Sequence, residues 1–170
     1  PSHPDPFGDT LRALRRHLGT DAGATDCALF WDFASLPQKP RTPEEDATFK
    51  RALDVMGLLY ASVTGTAVLQ FKDIPATAPE GYDGIFNPRP YHERGWTTFE
   101  EGASLVVAAH LSSAMRCGQI HEHFQRAEAT RPKVTDISGG ASVERIITES
   151  PNTILERTID AIANAAFTGK

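Results

Sequence analysis

Cys27-Ala-Leu-Phe-Trp-Asp-Phe33 is a nearly continuous apolar run of strand length, broken only by Asp32 near its end. Such runs suit a strand buried on both faces, as in a parallel sheet. A second run, Thr66-Ala-Val-Leu-Gln-Phe71, follows Gly65, and Lys133 to Ile137 reads as a third. Helical patterns alternate with these strands. Leu11, Leu14 and Leu18 make one stripe of a first helix, with Asp9 or Thr10 as its cap and Gly19 as its stop. Thr42 caps a second helix that has Pro43 at its first position and Glu44, Glu45 and Asp46 in its first turn. It extends to Ser62, with Phe49, Leu53, Met56, Leu59 and Tyr60 as its inner face. An Ala-rich apolar helix spans Thr98 to Met115, and a short polar one covers 118–131. The last, Asn152 to Phe167, carries Leu155, Ile159, Ile162 and Ala166 as its stripe. This alternation predicts an α/β, flavodoxin-like three-layer domain with a mainly parallel sheet.

With 170 residues, 40% hydrophobic and 23% charged, the chain is long enough for one compact domain with a real core. Its net charge of −5 argues against general nucleic-acid affinity. The basic residues are scattered, apart from Arg12, Arg15, Arg16 and His17, which read as a solvated face or as a phosphate or partner contact. Two cysteines, Cys27 and Cys117, do not make a disulfide framework. Cys27 is expected to be a buried thiol, and the compartment reducing, hence intracellular and cytoplasmic. No apolar run approaches the ~18 residues of a membrane span. Because the chain opens at Pro1, it reads as a fragment of something longer or a processed form.

In parallel-sheet folds the ligand site lies at the carboxyl ends of the strands. Asp32 and Ser35 end the first run. The long loop from Lys72 to Arg94, with Pro75, Pro79, Pro88 and Pro90, ends the second. It leads into Tyr91-His-Glu-Arg-Gly-Trp-Thr-Thr-Phe-Glu-Glu101, where Trp96 and Glu100 stand one helical turn apart. A carboxylate held against an apolar wall has a raised pKa and suits work on a sugar or its leaving group. Each residue has a plainer reading. Glu100 can be a first-turn acid favoured by the helix dipole, with Glu101 its solvated neighbour. Trp96 can be a core anchor, and Asp32 a turn cap. Arg94 can bind a phosphate, or pair with Glu93 or Glu100. His121-Glu-His123 with Cys117 has ligand-like spacing but no obvious fourth ligand, so no metal is expected.

Phe30-Trp-Asp-Phe-Ala-Ser-Leu36, then a helix, an apolar strand and Arg94-Gly-Trp-Thr-Thr-Phe-Glu100, resembles a TIR (Toll/interleukin-1 receptor) domain. The likeness is greatest to divergent TIR-like proteins of protists and algae, with their Asp-x-x-Ser-Leu-Pro-Gln and Arg-Gly-Trp-x-x-x-Glu segments. It covers roughly residues 5 to 115. By that resemblance Glu100 matches the glutamate of NAD-cleaving members, which serves departure of nicotinamide through an oxocarbenium-like transition state. Trp96 matches the family Trp at the helix start, and Asp32, Ser35 and Arg94 border the pocket for NAD⁺, a substrate rather than a cofactor. TIR domains begin with a strand; this sequence opens at what resembles the following helix, so that strand is absent or lies outside it, and the stretch from Pro75 to Pro90 is longer than theirs. The resemblance implies NAD⁺ glycohydrolase activity. The second expectation is a non-catalytic interaction module or structural subunit, acting through self-association or a larger assembly.

Overall fold

The computed structural model describes residues 5, 8–20, 27–62, 66–78, 80, 86–116 and 132–165. Five α-helices and three short strands form among them: α1 (Asp9–Thr20), α2 (Asp32–Ser35), α3 (Pro43–Tyr60), β1 (Val68–Gln70), α4 (Gly95–Arg116), β2 (Val134–Asp136), β3 (Val143–Glu144) and α5 (Pro151–Asn164). A single 3-10 turn, Tyr91–Glu93, leads into α4.

The architecture is α/β, helices around a small mixed sheet of order β1-β2-β3. β1 and β2 are parallel, with Val68 opposite Val134 and Gln70 opposite Asp136. β3 is antiparallel to β2, with Thr135 opposite Glu144. The expected mainly parallel sheet is thus corrected to a mixed one. Gly139 (φ 60°) and Gly140 (φ 84°) are the cause. Two successive positive φ angles are what a tight antiparallel hairpin demands. Ala141 N–H closes that turn on the Ser138 carbonyl at 3.3 Å.

The run expected as the first strand is the second correction. Residues 27–31 have no regular structure, and Asp32–Ser35 form one helical turn. Cys27, Ala28, Leu29 and Phe30 are exposed rather than buried. Ser35 Oγ accepts the Trp31 N–H at 3.1 Å, and the Leu36 N–H reaches the Asp32 carbonyl at 2.9 Å. Local side-chain-to-backbone closure of this kind competes with strand pairing.

The core is Leu105 and Ala109 of α4, Val134 of β2 and Ile154 of α5, flanked by Val68, Val106 and Ile147. α4 and α5 pack closely where Gly102 meets Thr158, with no space for a side-chain carbon at position 102. α4 also meets α3, where the Phe99 ring lies beside Gly57. Ser104 Oγ donates to the Tyr60 carbonyl at 3.3 Å, fixing the end of α3 against α4.

α3 starts as expected, with a full capping box: Thr42 Oγ1 accepts the Glu45 N–H and Glu45 Oε2 accepts the Thr42 N–H. Met56 of its inner face is buried, but Leu59 is exposed. The cap of α1 is Asp5, whose carboxylate accepts the N–H groups of Thr10 and Leu11. Asp9 pairs with Arg12 instead, and α1 runs through Gly19. In α5 the buried residue is Ile154, while Leu155 and Ile159 of the expected stripe face solvent. The 118–131 helix, Cys117, His121, His123 and Ala166 lie outside the described residues. No helix among the described residues is long and apolar enough to cross a membrane.

Candidate functional site

Glu100 is the sixth residue of α4, beyond its first turn, which carries no acid. The helix dipole therefore does not account for it. Its carboxylate turns toward α3, where the Tyr60 hydroxyl donates to Oε1 at 2.9 Å. Burial pushes the Glu100 pKa up to about 7 from an ordinary 4.5; the charge of Asp32 adds to the rise and the Tyr60 bond opposes it. Burial raises the Tyr60 phenol in turn, and the charge of Glu100 raises it further. Glu100 and Asp32 thus come within electrostatic reach of each other, although they stand 68 positions apart in the chain.

The other expected site residues go elsewhere. Ser35 closes the turn of α2. Arg94 staples the preceding loop: Nε donates to the Arg89 carbonyl at 2.9 Å and an Nη donates to that of Asn87 at 2.8 Å. It pairs with neither Glu93 nor Glu100, and burial together with nearby Arg89 lowers its pKa. The Arg94 carbonyl accepts Thr98 N–H at 3.0 Å and Thr98 Oγ1 at 2.8 Å, anchoring the start of α4. Trp96 is 40% exposed and meets Phe99 edge-on, centroids 6.2 Å apart. It is a surface aromatic near Glu100 in sequence rather than a core anchor.

Glu101 was expected to be solvated. It instead forms an ion pair with Arg145 at 3.0 Å. It also lines a cavity of about 330 Å³ with Lys72, Ile74, Pro88, Pro90 and Tyr91. This cavity lies past the carboxyl ends of β1 and β2, where Lys72 Nζ pairs with Asp136 at 3.2 Å and lies 5.7 Å from the centre of the Tyr91 ring. Glu100 does not line it. Burial is the main reason the Tyr91 phenol is held protonated, and the charges of Glu100 and Glu101 reinforce it. Tyr91 therefore stands within reach of both carboxylates.

Tyr60, Tyr91, Lys72 and Glu101 escaped the sequence reading as site residues. Adjacency of Glu100 and Glu101 was the available signal, since neighbours on a helix point about 100° apart and meet different surroundings. Among the described residues no group of three or more His, Cys, Asp or Glu side chains is placed to hold a metal ion. Compared with family models, curated proteins and solved structures, the chain matches none.

Proposed function

We propose that this chain is a TIR-like domain of flavodoxin-like design, and that Glu100 cleaves a nucleotide N-glycosyl bond, with NAD⁺ as the substrate. One observation carries the reading: a half-buried carboxyl, pKa about 7, hydrogen-bonded to Tyr60 and within electrostatic reach of Asp32. A group titrating near neutrality accepts and returns protons at working pH. In the reaction the bond between ribose C1′ and the nicotinamide nitrogen breaks, and its electron pair leaves with nicotinamide. The Glu100 carboxylate faces the positive charge that develops on the sugar and takes a proton from the water that adds to C1′. Asp32 keeps negative charge on the same side of the site. Tyr60 holds the Glu100 carboxylate in one orientation. NAD⁺ enters as substrate, with no cofactor required, and the exposed Cys27 thiol accords with a reducing, cytoplasmic setting.

Release of nicotinamide from NAD⁺, followed by chromatography, tests this. The rate is expected to rise with pH through about 7 and to collapse in Glu100→Gln. Unchanged turnover in that variant would remove Glu100 from the chemistry.

A second reading is a non-catalytic interaction module that self-associates or joins a larger assembly. Leu29, Phe30 and Trp96 are exposed, as are Val55, Leu58 and Leu59 on α3. Exposed apolar side chains in such number favour a partner surface. Sedimentation at increasing concentration separates the readings: association without NAD⁺ turnover supports the module, and turnover by a strict monomer dismisses it.

A further inference from the structure

Gln70, the last residue of β1, is completely buried. Neither its amide nitrogen nor its amide oxygen has a hydrogen-bond partner. Orphaned buried amides are costly and uncommon, because desolvation of the group is left uncompensated. The position does not call for one. Val68, two residues earlier and so on the same face of the strand, packs into the apolar core. A leucine at position 70 would extend that packing.

Gln70 does not line the cavity beside Glu101; Tyr91 stands between them. Tyr91 touches both: its side chain lines the cavity, and its hydroxyl interacts with the Gln70 amide without reaching full hydrogen-bond geometry. Lys72, next but one along the strand, lines the cavity as well. We propose that this cavity binds a small neutral ring carrying a hydrogen-bond donor beside an acceptor, the edge of a nucleobase or an aromatic carboxamide, and that Gln70 reads that edge once Tyr91 turns aside.

Three features select this ligand class. A glutamine amide offers one donor and one acceptor side by side, and it pairs with the complementary edge of a base. The charges at the cavity are already balanced, Lys72 by Asp136 and Glu101 by Arg145, so a neutral guest is preferred to an anion. Pro88, Pro90, Ile74 and Tyr91 give the cavity an apolar side opposite the polar groups of Lys72, His92 and Glu101, which suits a ring with one polar edge. At about 330 Å³ the space lies at the small end for ligand sites and holds one ring system rather than a dinucleotide. The inference does not rest on glycosyl chemistry, since it concerns binding alone.

Calorimetric titration of the whole chain with adenine, with benzamide and with toluene tests it, alongside Gln70→Leu. Adenine or benzamide is expected to bind saturably and toluene not. Binding of adenine alone marks a base site, and binding of both shows that the edge suffices. Gln70→Leu should weaken the bound probe about tenfold or more while raising the melting temperature, because the orphaned amide is gone. In the wild type the Gln70 side-chain amide resonances should shift on adding the probe. Failure of both probes to bind, binding unchanged in Gln70→Leu, or a lower melting temperature in that variant would each overturn the proposal, the last by showing that the amide supports the fold.

Discussion

Replacing Glu100 with glutamine should make the protein more stable, and by an amount that depends on pH. The carboxyl is held at about 7 in the folded chain against an ordinary 4.5. At about 1.4 kcal/mol per tenfold change in proton affinity, that difference corresponds to roughly 3 kcal/mol. The sign follows from linkage. The folded state binds this proton more tightly than the unfolded state does. Stability from the neutral acid is therefore complete below pH 4.5, declines as pH rises through about 7, and is gone by about pH 8. Glutamine has the same shape, keeps an acceptor for the Tyr60 hydroxyl, and does not titrate.

Urea denaturation of both proteins between about pH 4 and pH 8.5 reads the difference directly. The two stabilities should coincide near pH 4. The Glu100→Gln variant should then lead by an increasing margin, reaching about 3 kcal/mol above pH 8. Asp46 and Asp136, whose pKa values are lowered by Lys50 and by Ser138 and Lys72 respectively, titrate in both proteins and cancel from the comparison. A pH-independent difference, or a variant less stable at pH 8, would refute the claim that burial holds this proton. The loss of nicotinamide release expected of the same variant would then be unexplained as well.

Two further substitutions test the packing. Gly102→Ala adds a methyl that would stand 2.9 Å from Thr158 Cβ and closer to its hydroxyl and methyl. Overpacking of about 1–3 kcal/mol should outweigh the roughly 1 kcal/mol gained in helix propensity. Thermal melts should show net destabilisation that disappears when Thr158→Gly is combined with it; an additive pair would place the clash elsewhere. Ile154→Ala empties a site only 1% exposed between α4 and β2 and should cost about 2–5 kcal/mol in urea denaturation. A loss well under about 1 kcal/mol would mean that α5 does not seal the core.

Features whose causes are local were legible in the sequence. The start of α3 is one: Thr42, Pro43 and Glu45 are sufficient for a capping box, whatever the rest of the chain does. β1 and β2 sit where Thr66–Phe71 and Lys133–Ile137 placed them, and α4 covers the expected apolar run. Cys27–Phe33 misled because a short apolar run is not diagnostic of a strand. Asp32 and Ser35, at its end, favour a turn, and Pro37 follows shortly after. The third strand was hidden in a polar stretch, although Gly139-Gly140 between two β-compatible segments is a hairpin signal in its own right. Leu155 and Ile154 show the limit of counting apolar stripes. Both fit a helical pattern, and only the position of Val134 and Leu105 decides which one is buried.

The candidate site was legible to the level of a single helical turn and no further. Glu100 and Glu101 are chemically identical in the sequence, and helix geometry sends them in different directions. What each becomes is decided by residues 40 and more positions away: Tyr60 from α3 for Glu100, Arg145 from beyond β3 for Glu101. The first pairing leaves a carboxyl near neutrality, and the second sets a compensated charge on a cavity wall. Tyr91 links the two environments, because both carboxylates help hold its phenol protonated and its side chain closes the cavity. Its phenol also interacts with the Gln70 amide at the end of β1. Tyr91 is therefore the side chain on which both carboxylates, the Gln70 amide and the cavity bear together.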